Sequence, residues 1–199
     1  MIAAATILFA RSGFNGVTTK EIAKRANVSD GNIFRYFPTK RDLFIAVIDS
    51  ELGKLSLRAE QFDRIENVED SQIELTALFE LITEAMLHQP GLVRLLQFSI
   101  LDYGPDIEPT FRRHLRPIVD LATRNLQGWS CGSNIWDLHP ALGVLSFIAT
   151  IATVIMLQDV FPEFYGSPGS IESVESGTAA AAKLWLRALS PETNGRSAH

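Results

Sequence analysis

The chain has 199 residues, 46% of them hydrophobic and 21% charged, with a net charge of -5, which is enough apolar surface for one large domain or two small ones. Its single cysteine, Cys131, excludes an internal disulfide and fits a reducing cytoplasm, and four scattered histidines give no metal-ligand spacing. The charge is uneven: residues 1–48 carry seven Lys/Arg against three acids, a net of +4, while the other 151 carry 11 basic and 20 acidic groups, a net of -9. A basic head on an acidic body suits a protein that meets a polyanion at one end.

In chain order, almost every segment reads as helix, so the expected fold class is all-α, with about nine helices. The first covers Ile2–Ser12 and stops at Gly13; it is apolar but lacks the basic start of a leader peptide. Two short helices follow, Thr19–Ala26 and Asp30–Tyr36, with Asn27 in the turn because asparagine tolerates a left-handed backbone. Ser29 suits the N-cap of the second, and Pro38 ends it at Phe37. Thr39 then caps a long fourth helix reaching past Arg58, with Asp42 as its box partner. Further helices are expected at about 72–88, 91–103, 108–128, 140–159 and 171–189, broken at 89–91, 104–105, 128–134 and 162–170. The polar residues 190–199 read as a frayed tail, leaving a head at 1–48 and a body at 49–189.

The run 141–157 carries no charged side chain, but it falls short of the about 20 apolar residues a membrane span needs. It is also bounded by Asp137, His139 and Asp159, so the expectation is a helix buried between the body's own core and a partner subunit, with no membrane partner.

In the head, Ile22, Ala23, Ala26, Val28, Ile33 and Phe37 join Ala5, Leu8 and Phe9 in a small three-helix core. Two short helices joined by a tight turn form a helix-turn-helix, whose second helix enters the DNA major groove. With Ile33 and Phe37 inward, Gly31, Asn32, Phe34 and Arg35 project outward or sideways. Gly31 permits close backbone approach. Asn32 suits an adenine edge and Phe34 a thymine methyl. Thr18, Thr19, Tyr36 and Lys40 have the chemistry of phosphate contacts, and Ser29 belongs to the same candidate surface.

The run ILFARSGFNGVTTKEIAKRANVSDGNIFRYFPTKRDLFIAVI resembles the N-terminal DNA-binding domain of the TetR (tetracycline-repressor-like) transcriptional regulators. The likeness lies in the FA-x-x-GF segment, the Thr-x-x-x-IA of the second helix and the VS-x-G-x-(aromatic)-x-YFP-x-K that follows, and covers about residues 1–50. It implies an all-helical homodimer, usually a repressor released from operator DNA by a small molecule; the operator is expected to be near-palindromic, and no cofactor or metal is expected. By that likeness Thr18, Tyr36 and Lys40 touch the DNA backbone, and Gly31, Asn32, Phe34 and Arg35 lie nearest the bases. Three features depart from the pattern. Met1 already lies within the first helix, so the family's basic arm is either upstream or missing. Asn27 stands where glycine is common, and Asp30 where a basic or neutral residue is usual.

The resemblance also implies a ligand cavity in the body and a dimer formed by the last two long helices. Val174, Thr178, Ala181, Trp185 and Ala188 recur at helical spacing, and with Ile151 and Val154 they make a plausible four-helix interface. Phe79, Met86, Phe98, Phe111, Phe147 and Met156 are candidate pocket walls, with plain core as the alternative for each, and their apolar character favours a hydrophobic effector. Catalysis has little support. Glu84 and His88 stand one turn apart without a second cluster, and Ser99, Ser130 and Cys131 lack a nucleophile-elbow signature. The competing readings are a DNA-binding module without sensing, an activator, and a helical protein whose basic head binds another protein.

Overall fold

The computed structural model describes residues 1–65, 71–129, 140–157, 161, 180, 184 and 185. Among them lie seven helices: α1 (Ile2–Ser12), α2 (Thr19–Ala26), α3 (Asp30–Tyr36), α4 (Lys40–Ile65), α5 (Ser71–His88), α6 (Pro90–Trp129) and α7 (Pro140–Leu157). The described residues contain no strand, and the expected all-α class holds.

The head's boundaries follow from local chemistry. Gly13 takes φ 69°, and its N–H donates to the Phe9 carbonyl at 2.9 Å, closing α1. Asn27 adopts the left-handed conformation (φ 55°, ψ 45°), and the Val28 N–H donates back to Ala23 at 3.0 Å, turning the chain from α2 into α3. Phe37 is extended (φ -128°, ψ 98°), as a residue before proline must be. At the start of α4 the Thr39 N–H and hydroxyl donate to Asp42 Oδ2 at 2.9 and 2.7 Å, and the Asp42 N–H donates to Thr39 Oγ1 at 3.1 Å.

The helices expected at 91–103 and 108–128 are the two stretches of α6, which meet at a kink at Gly104, where the backbone is not helical (φ 27°, ψ -101°), so the expected break holds. Glycine reaches that backbone angle without a Cβ clash, and Pro105 has no N–H to give the ladder, so regular helix stops there and resumes in a new direction. The expected helix at 171–189 lies outside the described residues, apart from Ala180, Leu184 and Trp185, which are helical. The tail at 190–199 lies outside them too.

The chain divides into two compact units. The first comprises Met1–Leu57 with Gln89–Arg116, and the second Arg58–His88 with Pro117–His199. In the first unit, helices of 11, 8 and 7 residues cannot enclose a core of their own, and the three-helix core expected from the sequence is larger than that. Ala5, Phe9, Ile22, Ala23 and Ile33 are buried together with Leu43, Phe44, Val47, Ile48 and Leu52 of α4 and Leu92, Leu95 and Ile107 of α6. Leu8, Val28 and Phe37 pack partly buried against it. The α1–α6 contact is close: a Cβ on Gly13 would meet the Phe98 ring at 3.2 Å, and one on Gly91 would meet Ala10 Cβ at 3.0 Å.

Two ion-pair rungs set the register of α4 on α6. Arg41 pairs with Asp106, and Asp49 Oδ1 takes both Arg113 Nη1 and His114 Nε2 at 3.0 Å. The rungs recur at matching spacing on both helices, so α4 and the outer part of this α6 segment run in the same direction. The arginine pairs stand about half in solvent and add little stability, but a one-turn slip would break both rungs.

In the second unit, α5 and α7 meet through Phe79 and Phe147, both fully buried and stacked with centroids 3.9 Å apart and planes at 9°. Ile151 and Ile155 are buried on the same side of α7, whereas Leu142, Leu145 and Met156 on the other are 52%, 45% and 41% exposed. Among the described residues, no helix is long and apolar enough to cross a membrane.

Gly13→Ala should lower the urea unfolding midpoint by an amount worth about 1–3 kcal/mol, because both the φ of 69° and the Phe98 contact oppose a methyl group. An unchanged midpoint would contradict the tight α1–α6 packing.

Candidate nucleic-acid interface

The candidate surface is built by three N-terminal caps. Thr18 caps α2 with a capping box: its Oγ1 accepts from the Glu21 N–H at 3.2 Å, and its own N–H and hydroxyl donate to Glu21 Oε2, each at 2.8 Å. Thr18 therefore shapes the fold as well as lying on the exposed surface. The Thr-x-x-Glu spacing announces this box in the sequence, yet the reading above assigned Thr18 to phosphate alone and passed over Glu21. Ser29 caps α3, accepting from the Asn32 N–H at 3.2 Å. Thr39 does the same for α4, which begins at Lys40.

With both ends fixed, the orientation of α3 is set by one residue. Ile33 is fully buried, and Phe37 packs partly buried behind it. The other side chains turn away: Arg35 is exposed, Phe34 is 43% and Tyr36 61% exposed, and Asn32 is half-buried. A large apolar ring standing 43% in water on a seven-residue helix is an unsatisfied surface. Gly31 is exposed, and a Cβ placed on it would meet nothing within 4 Å, so neither backbone angle nor packing within the chain requires glycine there. One oxygen of Asp30, Oδ1, is buried without a hydrogen-bond partner among the described residues, so this carboxylate is turned partly inward.

Lys40, at the start of α4, sits with its ammonium 4.2 Å from the centroid of the Phe14 ring. Burial pushes its pKa below the ordinary lysine value, and the Glu21 carboxylate opposes that shift. Glu21 itself is held below the ordinary glutamate range, chiefly by the Thr18 backbone N–H, then by the Thr18 hydroxyl, with Lys40 adding a smaller charge effect. Thr19 is half-buried, and Thr18 and Ser29 are exposed.

The candidate pocket residues are divided between the units. Phe79, Phe147 and Met86 are buried in the second, where the Trp185 ring meets Phe147 edge-on at 6.3 Å. Met156 is exposed. Phe98 lies against Gly13 in the first unit. Phe111 lines an open groove of about 580 Å³ at the bend of α6, with Ile100, Gly104, Ile107, Glu108, Arg112 and Arg116. Of the candidate dimer residues, Ile151 is fully buried, Val154 and Trp185 are half-buried, and Ala181 lies outside the described residues. The Glu84–His88 pair takes a helix-end arrangement, with His88 Nδ1 2.9 Å from the Glu84 backbone carbonyl.

Residues 1–47 match the family model of bacterial regulatory proteins, tetR family. Over 101 residues the chain is 32% identical to the nucleoid occlusion factor SlmA of Glaesserella parasuis serovar 5 (strain SH0165), covering 51% of this chain and 49% of that protein. Over 144 residues it is 26% identical to the HTH-type transcriptional regulator RutR of Escherichia coli (strain K12), covering 70% of this chain and 65% of that one. The matches thus span about half to two thirds of these relatives. Among solved structures, the fold is similar to that of the transcriptional regulator FadR from Bacillus subtilis in complex with stearoyl-CoA, with a TM-score of 0.71, 19% identity, and 93% and 95% of the two chains covered.

The Glu21 carboxylate is bonded only in the folded head, so the folded state holds it ionised to lower pH than the unfolded chain does. Its stabilising effect is therefore full above the ordinary glutamate value and lost as pH falls through the depressed folded value. Glu21→Gln should lower the urea midpoint at neutral pH and match the unsubstituted protein in strong acid; an equal difference at both would rule out the ionic box.

Proposed function

We propose, from the match of residues 1–47 to the family model of bacterial regulatory proteins, tetR family, that the chain is a sequence-specific DNA-binding transcriptional regulator, a homodimeric repressor released from a near-palindromic operator by a small hydrophobic molecule. The observation that carries the DNA-binding part is the outer face of α3. Gly31 has open space before it, and Phe34, Arg35 and Tyr36 stand in water while Ile33 ties the same helix to the core. That face has the size and chemistry to enter a major groove, with Asn32, Phe34 and Arg35 toward base edges. Thr18, Thr19, Ser29, Tyr36 and Lys40 flank it as backbone contacts, fixing register without reading sequence.

The dimer reading draws on α7, whose Leu142, Leu145 and Met156 lie exposed opposite its buried side. A second copy related by a two-fold axis would cover that stripe and set two heads about 34 Å apart, one turn of duplex. The effector reading draws on the apolar character of the second unit and on FadR, a protein of similar fold whose structure holds stearoyl-CoA. A ligand preferring the DNA-free arrangement by about 1–3 kcal/mol would weaken operator binding roughly 5- to 150-fold. The stacked Phe79 and Phe147, which meet between α5 and α7, favour a second reading, a DNA-binding regulator that senses nothing. Thermal-shift measurements with long-chain acyl compounds separate the two: stabilisation supports sensing, and its absence across the series supports the filled interior.

Selection of duplexes from a random pool by the purified protein tests the reading as a whole. It should enrich half-sites about one helical turn apart, and a pool that stays random would sink it. Gly31→Ala should keep or raise thermal stability, by up to about 1 kcal/mol from helix propensity, yet weaken binding to the selected duplex. Binding unimpaired by the added methyl would remove α3 from the groove. In sedimentation, Leu145→Glu should convert a dimer to monomers; an unsubstituted chain that is already monomeric at micromolar concentration would refute the α7 interface.

A further inference from the structure

We propose that Phe14 is a positioning residue of the DNA interface, whose ring face holds the Lys40 ammonium in place for a backbone phosphate. The inference rests on the reading of α2 to α4 as the DNA-binding surface and adds a residue to it.

Phe14 is not a loose surface ring. It stacks on Phe9 with centroids 6.1 Å apart and planes at 22°, and meets Phe44 edge-on at 5.4 Å and 70°. Phe9 and Phe44 are fully buried and T-packed on each other at 5.1 Å. The three rings form a buttress rooted in α1 and α4, with Phe14 outermost and half-buried. Lys40 Nζ lies 4.2 Å from the Phe14 centroid, well inside the about 6 Å over which a cation is drawn to a ring face.

Lysine is otherwise a poor choice for a fixed contact, because its four-carbon stem is flexible and its charge strongly hydrated. Here burial strips part of that hydration, and the ring quadrupole replaces part of what is lost. Among the described residues Lys40 forms no ion pair: Glu21, the carboxylate that acts on it, is engaged by Thr18. A ring face engages at most one of the three ammonium N–H donors, and weakly, so the others stay available to phosphate oxygens. The arrangement also sits at the N-terminal end of α4, where backbone N–H groups favour the same anion. Phe14 thus orders the lysine before DNA arrives.

The test uses the full chain and a duplex it binds. The slope of log K against log salt should fall by about one unit in Lys40→Ala, by the same amount in Phe14→Leu, and no further in the double variant. Phe14→Tyr, which keeps a ring face, should restore the slope. A Phe14→Leu slope equal to that of the unsubstituted chain, alongside a reduced Lys40→Ala slope, overturns the proposal and leaves the DNA reading intact. A Lys40→Ala slope that does not fall overturns both. A second readout needs neither DNA nor the leucine variant: in the free protein the Lys40 ε-methylene protons should be shifted upfield by the ring, and shifts at random-coil values overturn the proposal.

Discussion

A seven-residue helix cannot hold its own shape in water, since isolated helices shorter than about 12–15 residues are marginal even with favourable composition. Everything proposed for α3 depends on its being pinned from outside. Ser29 satisfies an N–H at one end, Phe37 and Pro38 stop the helix at the other, and Ile33 fixes its rotation by entering the core. Once Ile33 is down, the helical period decides which side chains stand up, and these are the ones with reason to meet a duplex. The head therefore presents a defined outer face, the one proposed to read DNA, from a segment with almost no intrinsic stability.

That rigidity draws on more than three short helices. The core beneath α3 continues into α4 and α6, through Phe44 and Leu52 on one side and Leu92, Leu95 and Ile107 on the other. Phe98 closes on Gly13, and the paired rungs at Arg41–Asp106 and Asp49–His114 match one register of α4 on α6. A helix bent at Gly104 thus contributes to the unit that carries the reading face, so a change at that bend has a packed route to the start of α4 within one unit.

Features set by neighbours in sequence were legible from the residues. The limits of α1, α2 and α3, the left-handed Asn27 and the caps at Ser29 and Thr39 each depend on three or four adjacent residues, and each was found where the chain chemistry put it. So was the facing of α3, because one apolar residue in a seven-residue helix leaves little choice. Features set by tertiary packing were not legible. Nothing local says that Leu92 and Ile107 complete the head core, or that Phe98 and Phe111 belong to a different unit from Phe79 and Phe147. The break at Gly104, by contrast, is local and legible in the Gly-Pro pair. The Thr18–Glu21 box was legible and overlooked, and the lysine on Phe14 required knowing that residues 26 positions apart meet.

The most direct test of the outward face is hydroxyl-radical labelling of the protein, read by mass spectrometry, with and without a duplex selected from a random pool. Bound DNA should shield Phe34 and Tyr36 from oxidation while leaving the buried Phe79 and Phe147 as unreactive as before. Oxidation of Phe34 and Tyr36 at full rate in the DNA-bound protein would contradict the account, because the one face of α3 free to enter a groove would then be left in water.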